Sequence, residues 1–464
     1  MPVSSGGGST TTFRVVVACL LVTTIYWLND TQRQYALDNE VNQKPQAMVL
    51  TSPLCPPSSL DRIGFLIEQG NRATHNCSAI MEGDIFEIRR AERKMTAVKL
   101  KFNSKNGTSP LLTEQQSIDC QRLQRKFNIY PDWMADSNFS LAYSILVYRD
   151  ASQLEQLLRV IYRAWNTYCL HVDVTANEAM KTAVSHLSTC LPNVHLATQL
   201  FDVHWGEMSV LRAAMRCFND SMHKDTRWRY MVNIAGTDYP LRTNLELVDY
   251  LQSLNDDYSD VELMRRRDAW RYSYSFTSGA HGVHRFIECQ RKRHRLRYST
   301  IGPPMSSSPS TPIHCGTFPK KKSPPDGLIM RKGSFSAMLS RPFVHSLFES
   351  PVAQHLYKWL FDTFIPDEFF WSTLYHSVWL PERNLSANDF RTRYTHWAPM
   401  SPECGGYYEH GLCVFGVSDL RWLVNRTDAF FAHKFDRRTL PVALDCLEQR
   451  YLRSVLREYE DWVQ

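Results

Sequence analysis

The feature that most restricts this chain is a series of apolar runs between residues 141 and 236 that alternate with amphipathic stretches. Leu141-Ala142-Tyr143-Ser144-Ile145-Leu146-Val147-Tyr148 is a continuous apolar strand, followed by a helical pattern over Ser152 to Trp165 and a second strand over Thr167 to Asp173. A helix is predicted over Glu178 to Ser188, an extended run over Asn193 to Ala197, a helix over Ser209 to Asp220 and a strand over Tyr230 to Gly236. Strands apolar on both faces and alternating with helices of this length mean an α/β fold, a parallel sheet with helices on both faces. Ligands of such sheets bind beyond the carboxyl ends of the strands, so Asp173, Trp205-Gly206 and Thr237-Asp238 should surround one crevice.

The flanks predict a secreted or lumenal setting. Phe13 to Leu28 is almost wholly apolar; at about 16 residues it is short for a standard span but suits a thin early-secretory bilayer. A cleaved signal peptide competes with this reading. The aromatic end Tyr26-Trp27 and the lack of a small-residue cleavage site favour an uncleaved signal-anchor over 13–28, with 1–12 as a cytoplasmic tail and 29–75 as a polar, proline-dotted stem. A lumenal domain would fill 76–464, beginning with a small helical lead-in that includes Gly83 to Arg90. N-glycosylation acceptors stand at Asn76, Asn106, Asn138, Asn219, Asn384 and Asn425, besides Asn29 close to the membrane. With Cys19 inside the apolar segment, eleven of the twelve cysteines remain for an oxidising compartment.

Charge argues against one class of partner. The net charge of +6 is spread over 53 basic and 47 acidic residues, and the dense basic runs are Arg265 to Arg267, Arg291 to Arg297 and Lys320 to Lys322. A phosphate-tracking surface needs a more continuous stripe, so no nucleic-acid partner is expected. Residues 280–325 read as a basic, proline-rich mobile insertion whose lysines form a solvated loop rather than an anion site. Beyond it, a strand-like Gly327 to Met330, a helix ending before Pro342, a helix opened by Pro366 and a closing charged helix to Gln464 are expected.

The helix opened by Pro366 carries the candidate chemistry. In Phe364-Ile365-Pro366-Asp367-Glu368-Phe369-Phe370-Trp371 two carboxylates stand in the first turn, before three aromatic rings. An apolar wall beside a carboxylate raises its proton affinity, as a general base near neutral pH requires. Two acids complementing a helix dipole are the plainer reading of the same residues.

Six ordered motifs bear on that choice: LAYSILVY, YCLHVD, NIAGTDYPLRTNLELV, PDEFFW, CVFGVSDLRWL and FFAHKFD. In this order they resemble the core-2/I-branching β-1,6-N-acetylglucosaminyltransferases, over roughly residues 75 to 450. The resemblance implies a type II Golgi membrane enzyme with a GT-A-like nucleotide-sugar-binding sheet, inverting at the sugar carbon and needing no metal cofactor. Metal-dependent relatives hold a cation with Asp-x-Asp after a strand, whereas here Thr237-Asp238-Tyr239 offers one acid.

Residue by residue, the resemblance assigns Glu368 as catalytic base and Lys434 as a diphosphate-binding cation. Leu146, Asp173 and Trp205 fall at the nucleotide, and Glu262 and Trp397 at the acceptor sugar, with core packing as the other reading of Trp397. The family's second diphosphate cation, an arginine, falls on His410. Histidine lacks the arginine fork, so either the donor site is altered or Arg331, Lys332 or Arg393 substitutes. The implied disulfides are Cys77 with Cys446, Cys120 with Cys190, Cys169 with Cys217, and Cys404 with Cys413. If Cys289 pairs with Cys315, Cys55 is left over, either free or linking two chains into a homodimer.

The expected activity is transfer of GlcNAc from UDP-GlcNAc, in β-1,6 linkage, to an O-glycan core on glycoproteins. The alternatives are a relative using UDP-glucose or UDP-xylose, and a non-catalytic lumenal glycan-binding protein on the same scaffold.

Overall fold

The computed structural model describes residues 63–64, 66–68, 75–102, 119–130, 135–254, 258–264, 268–276, 319–380 and 389–463. The expected anchor, most of the stem and of the basic insertion, Cys55, Cys289, Cys315, Asn106 and Asn384 lie outside these residues. Among the described residues no helix is long and apolar enough to cross a membrane.

The described part of the lead-in includes the helices α1 (Cys77–Glu82), α2 (Ile85–Phe102) and α3 (Cys120–Phe127). Gly83, at φ 93°, ends α1 in the left-handed conformation that glycine adopts without a Cβ penalty. The alternating pattern then appears as expected: β1 (Leu141–Val147), α4 (Ala151–Ile161), β2 (Thr167–Val172), α5 (Glu178–Cys190), β3 (Val194–Leu196), α6 (Met208–Lys224) and β4 (Tyr230–Ala235). Helix α4 stops before Trp165 because the Tyr168 hydroxyl takes over the helix end. It donates to the Ile161 carbonyl at 2.7 Å and accepts from the Arg163 N–H at 2.7 Å.

After β5 (Asp238–Pro240) comes α7 (Asn244–Ser253), opened by a capping box in which Thr243 and Glu246 satisfy each other's backbone N–H groups. The strand expected at Gly327 to Met330 does not form; the next strand is β6 (Ala337–Ser340). The helix expected to end before Pro342 begins there, as α8 (Arg341–Glu349), followed by α9 (Pro351–Trp359). Proline in a first turn forfeits no helical hydrogen bond, and Ser340 accepts from Phe343 N as the cap. The chain continues through α10 (Phe370–Leu374), β7 (Arg393–Thr395), the hairpin β8 (Tyr407–Glu409) and β9 (Leu412–Val414), α11 (Leu420–Leu423), β10 (Phe431–His433) and α12 (Pro441–Val463).

The main sheet has the order β3-β2-β1-β4-β6, parallel except for β6, which runs antiparallel to β4. Each face has its own core. Leu141, Tyr143, Ile145 and Val147 of β1 pack with α4, α5 and α12, while Ala142 and Met231 face Phe218, Leu339, Trp371 and Tyr375. The order reverses between β1 and β4, which sets the ligand crevice beyond Val147 and Ala235. A smaller sheet, β5-β10-β7, continues past that point.

All four expected disulfides are present: Cys77–Cys446, Cys120–Cys190, Cys169–Cys217 and Cys404–Cys413. Among the described sequons, Asn76, Asn138 and Asn425 are exposed and Asn219 is half-buried. The expectation of a solvated lysine loop fails at Lys321. Its side chain is 3% exposed, and its ammonium pairs with Asp362, donates to Thr363 Oγ1 at 2.9 Å and lies 4.1 Å from the Trp359 ring centroid. That ammonium and ring pin the end of the insertion to the body of the domain.

Candidate active site

Pro366–Glu368 forms one turn of 3-10 helix ahead of α10. Its position is enforced from both sides. Behind it Phe369, Phe370 and Trp371 are fully buried, and the Trp371 indole donates to the Ser334 carbonyl at 2.9 Å. In front, Ile365 adopts φ 53°, a conformation that costs a β-branched residue on the order of 1–3 kcal/mol. From that conformation its N–H reaches the Gly206 carbonyl at 2.9 Å, fastening the turn to the Trp205-Gly206 loop.

Glu368 is held by cations. Its Oε2 pairs with Arg271 and lies 3.4 Å from Lys332 Nζ; Asp268 shares both cations, at 3.5 Å from Arg271 and 3.0 Å from Lys332. Both cations make their contacts to Oε2, which leaves Oε1 the less engaged of the two carboxylate oxygens. The Glu368 carbonyl accepts from Gly333 N–H at 2.8 Å, and a Cβ on Gly333 would overlap the Glu262 carbonyl oxygen. Glycine there lets the Glu262 segment close against this turn.

The apolar enclosure expected around Glu368 surrounds its neighbour. Asp367 is buried, its Oδ1 has no hydrogen-bond partner among the described residues, and burial, then the charge of Glu368, push its carboxyl up to about 7. Burial likewise lifts Glu262 to about 7, opposed by Arg393 and assisted by Glu368. Asp367, Glu262 and Asp268 thus all lie within electrostatic reach of Glu368 or its cations, in unlike surroundings.

The residues expected at the nucleotide come from four loops. Asp173, beyond β2, is 3% exposed and accepts from Thr175 N at 2.7 Å and Val203 N at 2.8 Å, so it ties the 201–206 loop to the sheet. Oδ1 also accepts from Thr175 Oγ1 at 2.5 Å, so it is Oδ2 that keeps lone-pair capacity for a ligand donor. Leu146 is half-buried beside the same strand ends. Trp205, 61% exposed, stands edge-on to Phe364 with centroids 5.8 Å apart and stacks on His410 at 6.1 Å and 12°. His410 occupies the turn of the β8–β9 hairpin at φ 54°. Lys434, just past β10, pairs with Glu409 Oε2, and Arg149 Nη2 lies 3.7 Å from Glu409 Oε1. Trp397 bridges the backbone of Leu412 and is 44% exposed, which removes core packing as its explanation.

These contacts link the candidate residues in one path: Lys434 to Glu409, its neighbour His410 to Trp205, Gly206 to Ile365, and that turn to Glu368. Sequence reasoning missed Arg271, Asp268, Arg149 and Glu409. Arg149 had a readable signal, since it lies two residues past the end of β1, at the carboxyl edge where the other strand ends had been searched.

Asp238, the lone acid of Thr237-Asp238-Tyr239, is fully buried. It accepts from Ala235 N at 2.9 Å, is hydrogen-bonded with His433 Nδ1 at 2.6 Å, and lies 3.9 Å from Arg393. Its carboxylate brackets β4 to β10. Among the described residues the single cluster with metal-ligand spacing is Cys404, Cys413 and Asp419, and those cysteines are bonded to each other.

The sheet and the residues gathered beyond its switch point have the layout of an α/β enzyme that binds its ligand at the carboxyl ends of the strands. The Core-2/I-Branching enzyme profile matches residues 141–424, and the chain belongs to that family of glycosyltransferases. The "Beta-1,3-galactosyl-O-glycosyl-glycoprotein beta-1,6-N-acetylglucosaminyltransferase" of bovine herpesvirus 4 (strain DN-599) is 32% identical over 400 residues, 82% of each chain. The protein of that name numbered 3 from Bos taurus is 31% identical over 400 residues, also 82% of each, and its Mus musculus counterpart 29% over 408 residues, 82% of this chain and 83% of that one.

Proposed function

We propose that this glycosyltransferase transfers GlcNAc from UDP-GlcNAc to the 6-hydroxyl of an O-glycan core sugar, with inversion and without a metal ion. The observation that carries the reading is the state of Glu368, one oxygen clamped by Arg271 and Lys332 and the other less engaged. In this mechanism Oε1 removes the proton of the acceptor hydroxyl as its oxygen attacks the anomeric carbon from the face opposite UDP. The C1–O bond to the diphosphate breaks as the new one forms, and the charge that grows on the leaving group is met by side-chain cations, Lys434 among them. Glu262 and Trp397 hold the acceptor, while Leu146, Asp173 and Trp205 border the nucleotide. The occupied state of Asp238 supports metal independence, because a cation there would have to compete with His433 and Arg393.

The named relatives support the GlcNAc donor and the O-glycan acceptor. The four disulfides fit an oxidising lumen, so a Golgi enzyme anchored by residues 13–28 in type II orientation is the placement we propose. The test is transfer by the full chain to a core-1 O-glycan from a panel of UDP-sugars, with and without a chelator. Preference for UDP-GlcNAc, β-1,6 product and indifference to the chelator are expected. A different preferred donor, or loss of turnover on chelation, overturns the corresponding part.

A further inference from the structure

The leaving diphosphate needs more positive charge than Lys434 alone supplies, and His410, at the position where the family resemblance expects an arginine, has its ring stacked on Trp205. Two other cations near the crevice, Arg393 and Lys332, are engaged elsewhere. Arg393 donates to Ser334 Oγ at 3.0 Å and faces Asp238, and Lys332 serves Asp268 and Glu368. Arg331 is fixed through its backbone, which exchanges hydrogen bonds with Thr373 beside α10, and its Nε is buried away from solvent without a hydrogen-bond partner among the described residues.

Arg149 is placed differently. It lies in the loop that leaves β1 at the switch point of the sheet, where a phosphate-bearing ligand of this fold is received. The next residue, Asp150, turns the chain at φ 69° and caps α4 through Gln153 N, so the loop is fixed at its far end. The side chain is 39% exposed and shares Glu409 with Lys434, one cation to each carboxylate oxygen. Two cations facing two oxygens of one anionic group is also the geometry in which a diphosphate is gripped.

We propose that Arg149 is the second diphosphate cation of this enzyme, standing in for the arginine that His410 replaces, and that Glu409 occupies the phosphate position until UDP displaces it. The assignment rests on the donor being a uridine diphosphate sugar, as proposed above. Arginine suits the role because its fork can take two phosphate oxygens at once. Glu409 in turn keeps two neighbouring cations from repelling each other in the empty site; the charge of Arg149 already disfavours protonated Lys434, after burial.

The experiment is calorimetric titration of the full chain in detergent with UDP and, separately, with uridine. Arg149→Gln should weaken UDP about tenfold, the worth of one charge-assisted hydrogen bond, and leave uridine unchanged. Arg149→Lys should recover part of the loss, which a misfolded loop would not do. A wild-type chain that binds no UDP overturns the donor reading and this assignment with it. Wild-type binding that Arg149→Gln leaves unchanged, while Lys434→Ala abolishes it, overturns this assignment alone.

Discussion

Two places in the crevice use the same parts, one carboxylate between two cations, and use them in opposite ways. At Glu368 both cations meet a single oxygen, and a second acid, Asp268, shares them. At Glu409 each oxygen has a cation of its own. The first arrangement fixes a carboxylate through one oxygen, and in the proposed mechanism the acid is the working group and the cations are its holders. The second leaves no oxygen unused, so the acid occupies a site and the cations are the working groups. Counting ion pairs would treat these alike; which oxygen each cation takes separates them.

The comparison breaks most sharply at Glu368. Glu368→Gln keeps the shape and removes the base, so transfer should fall about a hundred- to ten-thousand-fold, the usual weight of a general base. UDP affinity should stay at the wild-type value, as calorimetry can show. Lost UDP affinity with residual transfer would mean that Glu368 belongs with Glu409, among the groups that border the donor.

Asp367 sharpens the contrast from the other side of the peptide. An unfolded aspartate titrates near 3.9 and this one near 7, so over that interval the folded state holds a proton that the unfolded chain has released. Stability should therefore fall as pH rises from about 4 to about 7 and level off above, by on the order of 4 kcal/mol at most. Asp367→Asn mimics the protonated form. Its gain in stability over wild type, measured by urea unfolding, should be large at pH 8 and small at pH 5. An equal gain at both values would show that the buried carboxyl is not what titrates.

How far the sequence announced all this depends on the range of the contacts. The β1 to β4 stretch was legible nearly to the residue because apolar periodicity is a local property that burial on both faces enforces. The region after residue 255 was read less well. In sequence Pro342 reads as a terminator but it starts α8, and Lys321 reads as a solvated residue but Asp362 and Trp359 enclose it. Both errors concern residues whose role is decided by a partner far along the chain or by a cap. The site divides likewise: Glu368 and Lys434 lie in recognisable motifs, whereas Arg271 and Arg149 become visible once the fold sets them beside Glu368 and Glu409.

Lys332 tests whether the holders of Glu368 are needed. Lys332→Met removes one of the two cations on Oε2 while Arg271 keeps the other, so the carboxylate should wander rather than leave. We expect kcat lower by about tenfold, since a small misplacement of a base is costly, with UDP affinity unchanged. An unaltered kcat would assign the clamp to Arg271 alone.

The smallest expected effect is the most discriminating. If Glu409 occupies the phosphate position, Glu409→Gln removes an internal competitor, and UDP should bind tighter by a few-fold, within about 1 kcal/mol because the pair is partly exposed and screened. The affinity should also fall more steeply with added salt, since two uncompensated cations then meet the diphosphate. If Glu409 instead positions Lys434 and Arg149 for the ligand, as Asp268 helps position the cations of Glu368, the same substitution weakens UDP binding. The sign of one modest change in affinity, read at two salt concentrations, decides whether the two carboxylates differ in function or only in place.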